Sequence, residues 1–123
     1  MTLVLTNAAR NAKVAAVNAL VSGGVIKFLT AGDAVVASMG FGAVAFLPPS
    51  AGSATLPSPL IDPFTEAGTI TKFTIESSTG VIVMSGSVTD IGGGGDLELD
   101  NRVLATGDRL EITNIIYTQP ASE

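Results

Sequence analysis

Residues 69–88 have the sequence TITKFTIESSTGVIVMSGSV, and this stretch decides the fold class of the chain. Apolar and polar side chains alternate before the segment Ser78-Thr79-Gly80, and a β-rich run follows it, which is typical of strands. Glycine after serine and threonine favours a tight turn. The pattern therefore predicts a hairpin with strands at Thr69–Ser77 and Val81–Val88.

Short β-rich runs continue on both sides of this hairpin. They are Val25–Thr30, Ala34–Ser38, Ala43–Leu47, Asp96–Leu99 and Arg109–Thr118. About seven short strands with turns every 8–12 residues or so are typical of an antiparallel sandwich. The glycines in Met39-Gly40-Phe41-Gly42 predict a bend or bulge, and the Pro-rich residues 48–68 predict an extended segment without periodicity.

A stretch before the strands has the period of an α-helix. Alanine is frequent in residues 7–21, Thr6 is a suitable N-cap, and Ser22-Gly23-Gly24 would end the helix. An apolar stripe is formed by Val14, Val17, Leu20 and Val21. We predict one domain over residues 1–123, mainly β: an antiparallel β-sandwich or barrel-like domain preceded by one N-terminal α-helix. Residues 1–24 form its strand/helix segment and residues 25–123 its β-rich body.

The composition excludes several classes of function. The chain has no His and no Cys, which excludes Cys/His zinc sites, cysteine nucleophiles and Ser-His-Asp triads. A net charge of −5 argues against binding to nucleic acid. Prolines interrupt the longest uncharged run, so no membrane span is predicted. We expect a structural or binding protein with no catalytic residues, no cofactor and no metal.

Two motifs near the C-terminus invite interpretation as ligand sites. Gly92–Gly95 is followed by Asp96 and not by the Lys and Ser/Thr of a phosphate loop, so a flexible hairpin loop is the better interpretation. Asp96, Glu98 and Asp100 would share one face of a strand and could hold a hard cation, but the spacing of a calcium loop is absent. We interpret them as a solvated outer face.

Residues 34–61 contain no charged side chain. This segment predicts either a buried strand pair with an ordinary surface loop or an interface with other subunits, and we favour the interface because large apolar patches are seldom left uncovered. Self-association, most simply as a trimer, is expected on this ground. The predicted interface residues are Met39, Phe41, Phe46, Leu47, Pro48 and Pro49, together with Arg10 and Lys13 from the acid-free residues 1–30.

Several segments together carry a family resemblance. They are Leu3–Ala12 (LVLTNAARNA), Phe73–Val83 (FTIESSTGVIV), Ser85–Val88 (SGSV), Asp96–Asp100 (DLELD), Thr106–Asp108 (TGD) and Tyr117–Ala121 (YTQPA). These segments resemble a group of small virion-associated proteins of tailed bacteriophages, the head decoration or cement proteins. The resemblance is lost between about residues 31 and 66.

The resemblance implies a β-rich fold after an N-terminal helix, no enzymatic activity, and a position on the outer surface of the capsid, often as trimers. The implied partners are the major capsid protein and other copies of the chain, and the protein would be made in the host cytoplasm. Two alternatives remain open. One is a virion protein associated with the tail, collar or fibre, and the other is a receptor- or carbohydrate-binding module displayed on the virion.

Overall fold

The computed structural model describes residues 6–42, 46, 50, 53–55, 60–112 and 116–118, with the backbone alone at residues 55 and 116–118. Within these ranges the chain forms helix α1 (Asn7–Val21) and then short strands. The strands are β1 (Val25–Leu29), β2 (Val35–Gly40), β3 (Ser53–Thr55), β4 (Leu60–Asp62), β5 (Gly68–Thr69), β6 (Lys72–Glu76), β7 (Ile82–Asp90), β8 (Leu97–Leu99), β9 (Val103–Leu104), β10 (Leu110–Ile112) and β11 (Ile116–Thr118). The predicted class, mainly β with one N-terminal helix, is confirmed.

Helix α1 begins and ends where the sequence predicts. Thr6 Oγ1 accepts a hydrogen bond from the backbone N–H of Ala9 at 3.2 Å, as an N-cap does. Gly23, with a φ of +75°, takes the left-handed conformation just after the helix. Val14 and Val21 are buried, whereas Leu20, predicted beside them on the stripe, is exposed. No helix in the described part of the chain is long and apolar enough to span a membrane.

The predicted hairpin forms the middle of a five-stranded sheet with the order β2-β1-β6-β7-β8. Neighbouring strands are antiparallel except β7 and β8, which are parallel. At the hairpin turn, Ser77 Oγ accepts hydrogen bonds from the N–H groups of Thr79 and Val81, both at 3.3 Å, and Gly80 takes a φ of +84°. The sheet curls into a half-barrel, and further short strand pairs accompany it.

Two predicted strand boundaries are wrong. The strand predicted at Thr69–Ser77 is divided into β5, which pairs with β9, and β6, which belongs to the main sheet. The N–H of Ile70 still donates to the carbonyl of Arg102, next to β9, at 2.8 Å. The chain therefore leaves β9 and joins the main sheet between β5 and β6. The strand predicted at Ala34–Ser38 instead ends two residues later, because β2 stays paired with β1 as far as Gly40.

Part of the segment 48–68, predicted to have no periodicity of its own, forms short strands with distant partners. β3 pairs with β11 and β4 pairs with β10, both antiparallel. Strands of two or three residues leave too little alternation for a sequence pattern to detect. Most of the predicted strand Ala43–Leu47 lies outside the described residues, as do residues 1–5, 56–59 and 113–115.

The core joins α1 to one face of the curled sheet. On β1, Ile26 and Phe28 lie opposite Ile75 and Phe73 of β6, and all four side chains are buried. The two buried valines of α1 belong to the same cluster. Because these core residues alternate with half-buried polar ones along both strands, the opposite face of the sheet carries ion pairs such as Lys27 with Glu76, whose Nζ and Oε2 are 3.0 Å apart.

Candidate functional site

Three of the apolar side chains predicted to form an interface lie in the chain's own core. Met39, Phe41 and Phe46 are buried, and the rings of Phe41 and Phe46 pack with their centroids 5.8 Å apart. The expectation that these three side chains offer apolar area to a partner is therefore corrected, because the same chain covers them. The other predicted interface residues of this segment, Leu47, Pro48 and Pro49, lie outside the described residues.

Asn18 of α1 holds Phe46 in this position. Its Nδ2 donates to the carbonyl of Phe46 at 3.0 Å, and its Oδ1 accepts from the N–H of Phe46 at 2.9 Å. Asn18 was not among the residues predicted from the sequence. A signal existed, because Asn18 follows Val14 by four residues and precedes Val21 by three, which places it on the buried face of the helix. A polar side chain on such a face needs a hydrogen-bond partner.

The predicted basic residues Arg10 and Lys13 lie three residues apart on α1 and so on one side of the helix. Arg10 Nη1 donates to Asn7 Oδ1 at 3.3 Å, and Lys13 is exposed. The remaining cation of residues 1–30, Lys27, lies on the sheet, where its Nζ is 3.0 Å from Glu76 Oε2. Arg10 and Lys13 therefore both lie in the first half of α1.

The predicted acidic face holds a loop together. Asp96 Oδ2 accepts a hydrogen bond from the N–H of Ser87 at 2.9 Å, and Glu98 accepts from the N–H groups of Gly92 and Gly94 at 3.4 and 3.0 Å. These amides of the Gly-rich loop therefore donate to a carboxylate of the same chain. No group of three acidic side chains among the described residues is arranged to hold a metal ion.

An ion pair ties the end of β7 to the region beside β5 and β9. Arg102 donates from Nε and Nη2 to the two carboxylate oxygens of Asp90 at 3.0 and 3.3 Å, and from Nη1 to the carbonyl of Ile70 at 2.9 Å. The hydrogen bonds from Arg102 hold the pKa of Asp90 below its ordinary value, and the same contacts raise the pKa of Arg102. These three hydrogen bonds of Arg102 all go to groups of the fold, so the cluster ties parts of the structure together.

An exposed apolar patch lies where the end of α1 meets the start of β7. We call Leu20, Val81 and Ile82 the apolar patch; they are 57%, 63% and 60% exposed. They line an open groove of about 570 Å³ whose other lining residues are Ala19, Ser77, Ser78, Thr79 and Val83. None of the described residues that line the groove is charged.

The apolar patch was not predicted from the sequence either. Three consecutive apolar residues, Val81, Ile82 and Val83, begin the second strand of the hairpin. Because successive strand residues point to opposite faces, such a run places apolar side chains on both faces of the sheet. One of the two faces is then exposed or covered by a partner.

No protein-family model matches this chain, and no curated protein or solved structure is significantly similar to it. The fold and its contacts define a mainly-β domain with an N-terminal helix. In the described residues its polar clusters hold loops and strands together, and the apolar patch remains uncovered.

Proposed function

We propose that this chain is a structural protein of a tailed-bacteriophage virion that binds the outside of the capsid and stabilises it. The observation that carries the proposal is where the resembling segments lie in the fold. Part of the N-terminal segment forms the start of α1, and Phe73–Val83 forms the central hairpin of β6 and β7. The resemblance therefore covers the helix and the central strands that build the fold. It supports a shared architecture more strongly than a single surface motif would.

The proposed partner is the lattice of the major capsid protein. Decoration requires a small, stable domain that contacts neighbouring subunits and opposes their separation under the pressure of the packaged genome. Burial of uncharged surface would drive such binding, and complementary charge would orient it. Arg10 and Lys13 on α1 supply a positive face for this orientation, at one end of a chain whose acids begin only at Asp33.

The proposed function includes no catalysis and no cofactor. The chain has neither His nor Cys, and Asp96 and Glu98 bind backbone amides of their own loop. A glycosidase needs two carboxylates that face a substrate across a cleft. We therefore expect purified protein to leave host polysaccharide intact. Hydrolysis that disappears on substitution of Asp96 or Glu98 would contradict this part of the proposal.

The copy number of the chain in purified virions tests the main proposal. Quantitative mass spectrometry should give a constant ratio to the major capsid protein, of order one copy per few capsid subunits, and a cryo-EM map should place the domain on the outer shell. A few copies at one vertex would contradict decoration and favour the tail, collar or fibre alternative. If the chain is absent from the shell but binds a receptor or a glycan, the display-module alternative is favoured.

Self-association belongs to the same proposal, since the resemblance implies trimers on the capsid. The mass of the isolated protein and the symmetry of its copies on the shell test this point. Because Met39, Phe41 and Phe46 are buried within the chain, a contact between copies requires other residues.

A further inference from the structure

One phenylalanine lies on the surface of the described chain. Phe64, just after β4, is 77% exposed, the largest exposed fraction among the large apolar residues that the structure describes. Phenylalanine is ordinarily a core residue, and the other four in the chain are buried: Phe28, Phe41, Phe46 and Phe73. The burial of an aromatic ring contributes more free energy than that of most side chains, and at Phe64 it is left for a contact with another molecule.

The backbone before the exposed ring is fixed by a carboxylate. Asp62 Oδ1 accepts a hydrogen bond from the N–H of Phe64, and Asp62 Oδ2 accepts one from the N–H of Ser38 in β2, both at 3.0 Å. Pro63, which lies between Asp62 and Phe64, has a φ fixed by its own ring. The residue that carries the exposed ring is therefore tied to the main sheet.

The backbone after the exposed ring is fixed as well. Thr65 is buried, and three hydrogen bonds join it to the turn at residues 105–108. Its N–H donates to the carbonyl of Asp108 and its carbonyl accepts from the N–H of Gly107, both at 2.8 Å. Its Oγ1 donates to the carbonyl of Ala105 at 3.2 Å. The exposed ring therefore stands on a segment that the fold holds on both sides.

The surroundings of the exposed ring are acidic. Asp62 and Glu66 lie two residues before and two residues after it, and Asp108 lies beside it in the neighbouring turn. Within the described residues, none of these three acids takes part in an ion pair. The nearest cation in the sequence, Arg109, pairs with Glu111 at 2.9 Å. The ring thus lies within a surface of net negative charge.

This charge indicates which kind of partner fits the surface. Nucleic acid and anionic lipid carry phosphates, which the acids repel. A second copy offers few cations, because four of the six Lys and Arg residues are in ion pairs with acids of their own chain. The complementary surface is that of a different protein, with an apolar pocket for the ring and cationic side chains around it.

We propose that Phe64 anchors the chain on the capsid shell, with its ring in an apolar pocket of the major capsid protein that lysine or arginine side chains border. This inference rests on the proposed function and adds to it the contact residue and the chemistry of the partner's surface. Because the fold already holds the segment on both sides of the ring, little conformational entropy is lost when the ring is buried. Aromatic side chains of this kind contribute much of the binding free energy of protein interfaces.

Cosedimentation with capsid shells that lack the protein tests the anchor. We expect Phe64→Ala to raise the dissociation constant at least about tenfold at both low and high salt, because salt does not screen apolar burial. Ile91→Ala is the matched control, since Ile91 is 67% exposed just after β7, and its dissociation constant should stay within about twofold of the original. Neither variant should change thermal unfolding, because both side chains are exposed.

Glu66→Lys tests the cations around the pocket. It should weaken binding several-fold at low salt and less at high salt, whereas Asp100→Lys, the same change of net charge at an exposed position outside this segment, should have little effect. Unchanged or tighter binding of Glu66→Lys would overturn the cationic border. A wild type that binds shells no more tightly than Phe64→Ala, or an equal loss in Ile91→Ala, would overturn the anchor and leave the proposed function standing. A wild type that does not bind shells would overturn both.

Discussion

At the scale of single residues, one side-chain amide decides where a distant part of the chain lies. Asn18 binds both the N–H and the C=O of Phe46, 28 residues further along. This places the Phe46 ring against Phe41 in the core. The same contact explains why the chain covers apolar residues that the sequence analysis assigned to a partner.

Replacing Asn18 with alanine should destabilise the fold by about 1–3 kcal/mol, because it leaves a half-buried N–H and C=O of Phe46 without partners. Urea unfolding followed by circular dichroism measures the change. The control is Asn7→Ala, at an exposed position of the same helix, where we expect less than about 0.5 kcal/mol. Equal losses in the two variants would show that the amide of Asn18 does not hold Phe46.

The ion pair of Asp90 with Arg102 should make stability depend on pH in the acid range. The pKa of Asp90 is lowered in the folded state, chiefly by the hydrogen bonds from Arg102. The pair therefore stabilises the fold above the ordinary aspartate pKa of about 3.9, and this contribution is lost as the pH falls through the lower folded value.

Unfolding of Asp90→Asn and of the wild type, measured from about pH 7 down to pH 2, tests this expectation. The difference in unfolding free energy should be constant at higher pH and shrink towards the acid end. In an Arg102→Met background, the same substitution should show a much smaller pH dependence. A difference that persists unchanged at the acid end would contradict the assignment.

At the scale of secondary-structure elements, the connection between α1 and β1 depends on the absence of a side chain. Gly24 donates to the carbonyl of Val21 and accepts from the N–H of Phe41, both at 2.9 Å. A Cβ on Gly24 would overlap the carbonyl oxygen of Glu76. The backbone that links α1 to β1 can therefore pass this close to the end of β6 only with glycine at position 24.

Gly24→Ala should destabilise the protein by about 1–3 kcal/mol or more, since backbone atoms and not a flexible side chain would have to move. Thermal unfolding measures this loss. Gly40→Ala in β2 is the control, because a Cβ there meets nothing within 4 Å. It should be neutral or slightly stabilising. If the two variants melt alike, the close approach at Gly24 is not a constraint on the fold.

At the scale of the whole molecule, the charge is unevenly distributed along the chain. Residues 6–32 contain no acid, whereas residues 90–111 contain Asp90, Asp96, Glu98, Asp100, Asp108 and Glu111. A protein with one basic and one acidic region binds a charged lattice in a preferred orientation. The proposed capsid contact through α1 depends on this asymmetry.

Lys13→Glu should weaken binding to capsid shells several-fold at low salt, and the loss should shrink as salt screens the charges. Cosedimentation with shells that lack the protein measures the occupancy. Arg109→Glu makes the same change of net charge in the acid-rich region, where Arg109 pairs with Glu111 at 2.9 Å. Equal weakening by both variants would mean that net charge, and not the face of α1, governs docking.

The local features of this protein are those that the sequence predicts. The helix at residues 7–21, its cap at Thr6 and the turn at Gly80 depend on neighbouring residues, so propensity and turn chemistry are enough to find them. The candidate surface was harder to predict. Met39 is buried beside Ile26, thirteen residues earlier, and Leu20 is exposed because nothing among the described residues covers it.

The sequence by itself determined the mainly-β class, the single N-terminal helix and the absence of His and Cys chemistry. Hydrophobic periodicity and turn chemistry depend on neighbouring residues, and composition is a count over the chain, so none of them requires knowledge of distant contacts. Only the tertiary structure decided that β3 and β4 pair with β11 and β10, that Asn18 draws Phe46 into the core, and that β8 pairs with the last three residues of β7. These outcomes depend on contacts between residues far apart in sequence. A short strand or a polar helix residue is compatible with several partners, and packing in three dimensions selects one.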